Sequence, residues 1–378
     1  MGPLSGVRVI ELAGIGPGPF AAMVLADLGA EVIRVDRPGR GGAGPAANAD
    51  LSNRGKRSVA VDLKSDAGRE VVLRLIDQAD VLIEGFRPGV TERLGLGPDE
   101  CLKRNPKLVY GRMTGWGQEG PLSQLAGHDI GYIAITGVLH AIGRRGGPPQ
   151  VPLNLLGDFA GGSMYLVVGI LAALLESTRS RQGQVVDAAI VDGAAHLSTF
   201  IHAFMASGTW TTERGTNLLD TGAPFYDVYE TSDGEYMAVG AIESQFYAEF
   251  LRLLEVDPAE AGQFDFANWE NNRALFASRF KAKTRDEWAQ VFLPSDACVA
   301  PVLSLEEAKT HPYNAARDVF VTGPDERLQP APAPRFSRTP GEITRPPSIG
   351  GAHSREILTE LGFADVDELI ASGAVAEG

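Results

Sequence analysis

The sequence has few cysteines and no excess of positive charge. Only 2 of its 378 residues are cysteine, and Cys101 and Cys298 lie far apart, so neither a disulfide framework nor a zinc site is predicted. The formal net charge is −14, which argues against a protein whose main partner is nucleic acid. This cysteine content is typical of the reducing cytoplasm.

Long apolar runs are also scarce. The longest, Met164–Leu175, is short for a membrane span and is interrupted by Gly169. The first residues carry neither a basic segment nor an apolar core, so no signal peptide is expected. We therefore predict a cytoplasmic protein with no membrane partner.

What the chain does contain is a regular alternation of strands and helices. In the first third, this alternation predicts parallel βαβ units and an α/β sheet covered on both faces. After residue 224 the pattern changes to a hairpin around Ser232-Asp233-Gly234 followed by helices, which predicts a smaller second domain. The predicted strands are 7–12, 31–35, 59–63, 81–83, 108–113 and 185–189, and the predicted helices are 20–28, 66–77, 158–176, 191–208, 244–254 and 285–292.

These elements divide the chain into four parts. Residues 1–190 form the large domain and residues 191–224 a linking helix. Residues 225–305 form the small α+β domain. Residues 306–378 are a return segment and tail that pack on the large domain.

A turn rich in glycine and proline, Gly14–Pro19, follows the first strand. With Asp36 about 20 residues further on, it is similar to a dinucleotide-binding fingerprint. The spacing is GxGxG rather than GxGxxG, however, and the two prolines remove N–H donors that would bind a pyrophosphate. A proline-stiffened turn is therefore favoured, and a nicotinamide-dependent oxidoreductase stays open as the weaker alternative.

Basic residues are concentrated early in this acidic protein. At the turns of an α/β sheet, such a cluster suits a polyanionic ligand with phosphate groups. CoA, NADP and a nucleotide all meet this description, and the cluster alone does not separate them. Its members are Arg34, Arg37, Arg40, Arg54, Lys56, Arg57, Lys64, Arg87 and Arg93.

His128 is the first candidate for acid/base chemistry. The preceding Gly127 leaves room for a ligand, although a histidine on a surface loop is the simpler interpretation. His196 and His202 lie on an apolar helix and are interpreted as packing residues.

Two carboxylates are further candidates. Asp158 precedes a predicted helix, where an N-cap role explains it but where the helix dipole also keeps a carboxylate ionised. Gly157, Gly161 and Gly162 would let a ligand approach it closely. Glu243 also begins a helix, and first-turn charge complementarity is its simpler explanation.

Together these segments closely resemble family III CoA-transferases over Leu4–Arg338. The Gly127-His128-Asp129 segment is similar to the racemase branch of that family. The segments that carry the resemblance are GVRVIELAGIGPGPFAAMVLADLGAEVIRVDRP, VDLKS, LIEGFRPGVTERLGLG, YGRMTGWGQEGPLSQLAGHDIGYIAITGVLHAIGR, PLNLLGDFAGGSMYLVVGILAALLE, GQVVDAAIVDGAA and DACVAPVLSLEEA.

The resemblance implies a Rossmann-like large domain that binds CoA rather than NAD. It also implies an interlocked homodimer, in which the small domain of one chain meets the large domain of the other. The CoA moiety belongs to the substrate, so no cofactor and no metal are expected. The implied CoA-binding residues are Arg37, Val61, Asp62, Leu63, Lys64, Gly85, Phe86, Arg87, Arg93, Gly127, Asp129, Ile130, Gly131 and Tyr132.

The activity implied is racemisation at the α-carbon of a 2-methylacyl-CoA thioester, in lipid metabolism. His128 and Asp158 match the acid/base pair, and Glu243, contributed by the partner subunit, matches a carboxylate that orients the histidine. Backbone N–H groups at the start of the Asp158 helix are candidates for binding the enolate oxygen. The alternative is transfer of CoA between carboxylates, with Asp158 as the nucleophile.

Overall fold

The computed structural model describes residues 2–39 and 49–378. Arg40, a member of the predicted basic cluster, lies outside these residues. The strands are β1 (Arg8–Leu12), β2 (Glu31–Asp36), β3 (Lys56–Val61), β4 (Val81–Glu84), β5 (Val109–Thr114), β6 (Val185–Ala189), β7 (Tyr226–Glu230), β8 (Tyr236–Gly240), β9 (Val299–Pro301), β10 (Phe320–Thr322), β11 (Leu328–Pro330) and β12 (Val375–Ala376).

Helices connect most of these strands. Short 3₁₀ turns lie at Leu51–Asn53 and Phe266–Asn268, and a π-helix covers Leu155–Ser163. The α-helices are α1 (Pro17–Asp27), α2 (Asp66–Ile76), α3 (Val90–Arg93), α4 (Pro98–Arg104), α5 (Asp129–Ile135), α6 (Val138–Ala141), α7 (Met164–Ser180), α8 (Ile190–Leu197), α9 (Thr199–Ala206), α10 (Ser244–Leu254), α11 (Trp269–Phe280), α12 (Arg285–Phe292), α13 (Leu305–Thr310), α14 (Pro312–Ala316), α15 (Ser354–Glu360) and α16 (Val366–Ala371).

The chain forms two compact units. The larger contains the residues up to Thr136, Leu153–Leu197 and Ala315–Gly378, and the smaller contains Gly137–Pro152 and Ser198–Asn314. The smaller unit thus includes a segment, 137–152, that the sequence division places in the large domain. Within that unit, Arg214 holds the segment by donating to the carbonyl oxygens of His140 at 2.5 Å and Gly147 at 3.0 Å.

The larger unit is built on a seven-stranded sheet in the order β12-β3-β2-β1-β4-β5-β6. All neighbouring strands in it are parallel except β12, which runs antiparallel to β3. The chain therefore places β2 and β3 on one side of β1 and then β4, β5 and β6 on its other side. Ligands bind at the carboxyl ends of the strands at such a topological switch point.

Each face of this sheet is covered by its own hydrophobic core, as strands without an exposed face require. One core packs α2, α15 and α16 against the sheet, and the other packs α1 and α7. The prediction of an α/β fold with a parallel sheet is confirmed.

The smaller unit has an antiparallel sheet, β7-β8-β9, with helices on it. The predicted hairpin forms between β7 and β8, and α10 and α12 have the predicted bounds. Its core is rich in aromatic rings, among them Phe250, Phe276, Phe280 and Trp288.

Three predicted helices differ from the structure. The helix predicted over 20–28 begins at Pro17. The helix predicted over 158–176 begins earlier, as a π-helix at Leu155, and continues to Ser180. The helix predicted over 191–208 is two helices, α8 and α9, separated by Ser198. The π-helix approaches α8 so closely that a Cβ atom at Gly193 would lie 1.8 Å from the Gly161 carbonyl oxygen.

The combined helical stretch Leu155–Ser180 is 26 residues long, which is longer than the sequence pattern indicates. By length and composition alone it is sufficient to cross a membrane, a property that it shares with apolar core helices. On one side it is buried in the core through Leu166 and Ile170, whereas Val168 and Leu175 are 62% and 59% exposed.

Candidate active site

A cavity of about 620 Å³ opens at the carboxyl edge of the large sheet, next to the switch point between β1 and β4. Its size is typical of sites that bind small molecules. The segments that follow β1, β4 and β5 supply most of its wall, because these neighbouring strands end at the same edge. The lining residues are Glu11, Leu12, Gly14, Ile15, Gly16, Pro17, Gly18, Pro19, Ile83, Gly85, Phe86, Arg87, Pro88, Met113, Thr114, Gly115, Trp116, Ser123, Leu125, Ala126, Gly127, His128, Tyr132, Asp158 and Ile190.

Asp158 reaches this cavity from the π-helix. It does not cap the helix, which begins three residues earlier after Asn154, so the N-cap interpretation is wrong. The Asn154 Nδ2 atom lies 3.4 Å from Asp158 Oδ2. Burial raises the pKa of the Asp158 carboxyl; the Asn154 hydrogen bond and the charge of His128 oppose this rise, and the charge of Asp129 adds to it.

His128 lines the same cavity from the segment between β5 and α5. It is the N-cap residue of α5, its backbone is extended, and its side chain is exposed. Both residues line this cavity, and the charge of His128 acts to lower the pKa of Asp158. The imidazole and the carboxylate that the sequence singles out are therefore brought to one site.

Aromatic rings fill the space beside His128. Tyr132 packs edge-on against Trp116, with ring centroids 4.7 Å apart. A Cβ atom at Gly127 would lie 2.6 Å from the Tyr132 ring, and one at Gly115 would lie 2.0 Å from it. Gly127 thus makes room for an aromatic side chain of the protein, rather than for a ligand as the sequence suggests.

The glycines around Asp158 also face protein atoms. A Cβ atom at Gly157 would lie 2.3 Å from Asp129 Oδ1, and one at Gly161 would lie 2.9 Å from the backbone nitrogen of Ala194. At Gly162 the nearest atom would belong to Ile190, at 3.0 Å. The interpretation that these glycines admit a ligand is therefore wrong: they allow close packing of the π-helix.

Five of the residues implied as CoA contacts line the cavity, namely Gly85, Phe86, Arg87, Gly127 and Tyr132. The loop after β4 holds the first three, and it is fixed by the Phe86 N–H, which donates to Glu84 Oε2 at 2.7 Å. Arg87 is exposed and provides a positive charge at the rim.

The other implied contacts lie outside this cavity. Arg37 directly follows β2, and Asp62–Lys64 directly follow β3, so both occupy the carboxyl edge of the sheet further from β4. Val61 is buried in β3, and Arg93 is exposed at the end of α3. Asp129, Ile130 and Gly131 form the first turn of α5, where Asp129 is buried and only 6% exposed.

Glu243 belongs to the smaller unit. It is the exposed N-cap residue of α10, and its side chain makes no capping hydrogen bond. The role that the resemblance implies for it stays a prediction.

Four members of the predicted basic cluster are committed to internal ion pairs, so the prediction that the cluster acts as one ligand site is wrong for them. Arg34 pairs with Asp36 at 2.7 Å, and Arg54 pairs with Asp27 at 2.6 Å. The other two pairs are Lys56 with Glu11 and Arg57 with Glu31, Glu356 and Glu360. Within the described residues, Arg37, Lys64, Arg87 and Arg93 form no ion pair and stay available to a phosphate.

Sequence reasoning missed two wall residues, Ile15, which is 75% exposed, and Trp116. It also missed Asn154, whose Nδ2 atom contacts Asp158. Ile15 and Trp116 follow the ends of β1 and β5, so the rule that ligands bind beyond strand carboxyl ends was the available signal. Among residues 2–39 and 49–378, no group of three or more His, Cys, Asp or Glu side chains is arranged to hold a metal ion.

A doubly wound α/β sheet with a histidine and an aspartate in a cavity at its switch point is an arrangement typical of enzymes that act on small molecules. Residues 4–354 match the model of CoA-transferase family III, and the chain belongs to this family. The predicted family is therefore confirmed.

Three comparisons describe its position within the family. The chain is 50% identical to alpha-methylacyl-CoA racemase from Mus musculus, with 97% of this chain and 95% of the mouse protein covered. It is 48% identical to alpha-methylacyl-CoA racemase from Homo sapiens, with coverage of 96% and 94%. The crystal structure of a CAIB/BAIF family protein from Brucella suis superposes with a TM-score of 0.83 and 28% identity, covering 95% of this chain and 99% of that one.

Proposed function

We propose that this protein is an isomerase that interconverts (R)- and (S)-2-methylacyl-CoA thioesters. The observation that carries the proposal is that His128 and Asp158 line one cavity at the switch point of the large sheet. The similarity over nearly the full chain to proteins named alpha-methylacyl-CoA racemase supports the same activity.

Racemisation requires one base on each side of a planar intermediate. One of the two groups removes the α-proton of the thioester, and the C–H electron pair delocalises into the carbonyl to form an enolate. The other group then donates a proton to the opposite face. His128 and Asp158 together carry one transferable proton before and after each turnover, and each positioned group contributes roughly 10²–10⁴-fold.

The enolate oxygen requires hydrogen-bond donors. The backbone N–H of Asp158, a candidate from the sequence, is already donated to Asp129 Oδ1 at 2.6 Å. α5 begins directly after His128. The N–H groups of Gly131 and Tyr132 donate to the His128 carbonyl oxygen, which leaves the N–H groups of Asp129 and Ile130 without a partner within the helix. We therefore assign the donor role to the start of α5.

The substrate supplies its own CoA moiety, so the chemistry needs no further cofactor. Arg87 at the rim of the cavity, with Arg37 and Lys64 beyond β2 and β3, marks a positively charged path for the CoA phosphates along the sheet edge. The acyl chain would lie on the apolar wall that Ile15, Leu125 and Ile190 provide.

The proposal extends to a homodimer. Val168 and Leu175 on α7 and Leu155 on the π-helix are each more than half exposed, which suits burial against a second copy. In such a dimer, Glu243 of the partner subunit would orient His128. The cytoplasmic location and the role in lipid metabolism stay predictions.

CoA transfer with Asp158 as nucleophile is the alternative, and it gives His128 no necessary role. Incubation of an (R)-2-methylacyl-CoA in D₂O separates the two. Deuterium at the α-carbon together with loss of optical purity is the expected result. Transfer of CoA to an added carboxylate, without deuterium in recovered thioester, would overturn the proposal.

A further inference from the structure

The side chain of Asp129 lies between the two segments that carry the acid/base pair. It immediately follows His128 in the chain, and its Oδ1 atom accepts the backbone N–H of Asp158 at 2.6 Å. This contact joins residues 29 positions apart. One carboxylate thus connects the start of α5 to the π-helix.

The surroundings of Asp129 indicate that its contact with the Asp158 N–H is a fixed feature of the fold. The residue is 6% exposed, and its Oδ2 atom is buried with no hydrogen-bond partner within the described part of the chain. A buried carboxylate oxygen without a hydrogen-bond partner costs free energy, so its presence in the fold calls for an explanation. Gly157 permits the contact, because a Cβ atom there would lie 2.3 Å from Asp129 Oδ1.

We propose that Asp129 is a positioning residue of the racemisation site, which anchors the backbone at Asp158 and holds it in register with His128. This inference rests on the function proposed above, and it gives Asp129 a role other than the CoA contact implied by the sequence. A proton relay between two faces of one carbon depends on placement, and an error of about 1 Å can cost on the order of 10²-fold in rate.

The negative charge of Asp129 has a second consequence. It adds to the rise that burial produces in the pKa of Asp158, while the Asn154 amide and the charge of His128 act in the opposite direction. Burial raises the pKa of the neighbouring Tyr132; the charge of Asp158 adds to this rise, and the charge of Arg87 opposes it. A higher pKa for Asp158 keeps a proton on it to higher pH, which suits a group that must both donate and accept a proton near neutrality.

Two substitutions separate the hydrogen bond that Asp129 accepts from the Asp158 N–H from the negative charge of Asp129. D129N keeps an oxygen that can accept the Asp158 N–H but removes the charge, whereas D129A removes both. For D129A we expect kcat to fall by about 10²-fold in both directions, with KM within roughly threefold of wild type. For D129N we expect a smaller fall and an acidic limb of the kcat profile displaced to lower pH, because the pKa of Asp158 decreases.

D187N is the matched control. Asp187 also accepts a backbone N–H, from Gln118 at 3.3 Å, but it does not line the cavity. Its kcat and pH profile should equal those of wild type. Circular dichroism and thermal unfolding of each variant, with assays below the lowest transition, remove any contribution from unfolded protein.

Wild-type enzyme in D₂O is measured alongside, so that the two proposals fail separately. No α-deuterium with wild type would overturn the racemase function and, with it, the role of Asp129. An active wild type with unaltered kcat and pH profile in both Asp129 variants would overturn the positioning role alone. A loss confined to KM would also overturn it, in favour of a CoA contact.

Discussion

The ammonium group of Lys56 and the carboxylate of Glu11 form an ion pair of 2.6 Å inside the large sheet, where both side chains are at most 1% exposed. Lys56 Nζ also donates to the carbonyl oxygen of Pro19 at 2.9 Å. Glu11 lies in β1, and Pro19 lies in the first turn of α1. Lys56 therefore links the cavity-lining turn Gly14–Pro19 to the strand that precedes it.

Replacement of Lys56 by Met should strongly destabilise the protein. The substitution leaves the Glu11 carboxylate buried without a counter-charge, and breaking a buried pair in this way costs about 3–5 kcal/mol. The free energy of unfolding, from urea titration followed by circular dichroism, measures the effect. K103M, which changes an exposed lysine on α4 of the same unit, should differ from wild type by less than about 0.5 kcal/mol.

The double variant E11L/K56M tests the cause. Because it removes both charges, it should recover much of the stability lost in K56M. A K56M protein as stable as wild type, or a double variant less stable than K56M, would show that the pair is not the source of the effect.

Single-base variants should uncouple exchange from inversion. With H128Q or D158N, one face of the α-carbon loses its base, so racemisation should fall by at least about 10²-fold. The enantiomer whose proton faces the remaining base should still exchange with solvent and retain its configuration. Mass spectrometry combined with chiral analysis of each enantiomer in D₂O measures both quantities.

H311Q, which alters a histidine just beyond α13 in the smaller unit, should racemise like wild type. Equal loss of exchange from both enantiomers in H128Q, or unimpaired inversion in D158N, would contradict the two-base mechanism.

Glu307 should contribute to stability in a pH-dependent way. It forms the capping box of α13 with Ser304 and pairs with Arg285 at 2.6 Å; the hydrogen bond from Arg285 is the largest of the effects that lower its pKa to about 2. A carboxylate whose pKa is lower in the folded state stabilises the folded protein at pH values above its unfolded-state pKa. It loses this contribution as the pH falls toward 2.

E307Q should therefore reduce the urea midpoint at pH 7 and have little effect near pH 2. E306Q is its control, because Glu306 is 83% exposed and, among the described residues, forms its ion pair with Lys309 of the same helix. An E307Q effect that is the same at both pH values would refute this electrostatic origin.

Complementation between subunits tests whether Glu243 acts on the partner's site. When D158N and E243Q chains are co-expressed, a heterodimer has one intact site only if Glu243 is supplied in trans. Random pairing should then restore roughly a quarter of wild-type activity. Differently tagged chains, purified by two affinity steps, isolate the heterodimer.

Homodimers of each variant provide the baseline. If Glu243 served the site of its own chain, both sites of the heterodimer would carry one defect, and its activity would not exceed this baseline. A fully active E243Q homodimer would show that the carboxylate has no role.

Much of the large unit could be predicted because most of its strands, though not β6, have no exposed face. Buried strands such as β1 and β4 appear as short apolar runs, so period and length located them within one or two residues. The π-helix could not be located in this way, because its apolar composition resembles that of α7 and the wider turn depends on contacts of Gly161 with α8. Composition does not encode such tertiary contacts.

The site was predictable in its chemistry and less so in its support. His128 and Asp158 stood out by residue type and neighbours. The contact between Asp129 and the Asp158 backbone, in contrast, joins segments whose approach only the folded chain creates. For the same reason a count of basic residues did not reveal that Arg54 and Lys56 are consumed by internal partners.

The pairing of β12 with β3 has a consequence for biosynthesis. Val375 aligns with Val61, so the strand that completes this side of the sheet leaves the ribosome long after its neighbour. At 5–20 residues per second, the delay is roughly 15–60 s. During that interval the edge of β3 is unpaired, and partly folded chains with unpaired strand edges are bound by chaperones. We therefore expect the yield of the full chain to depend on chaperone supply more than its final stability would suggest.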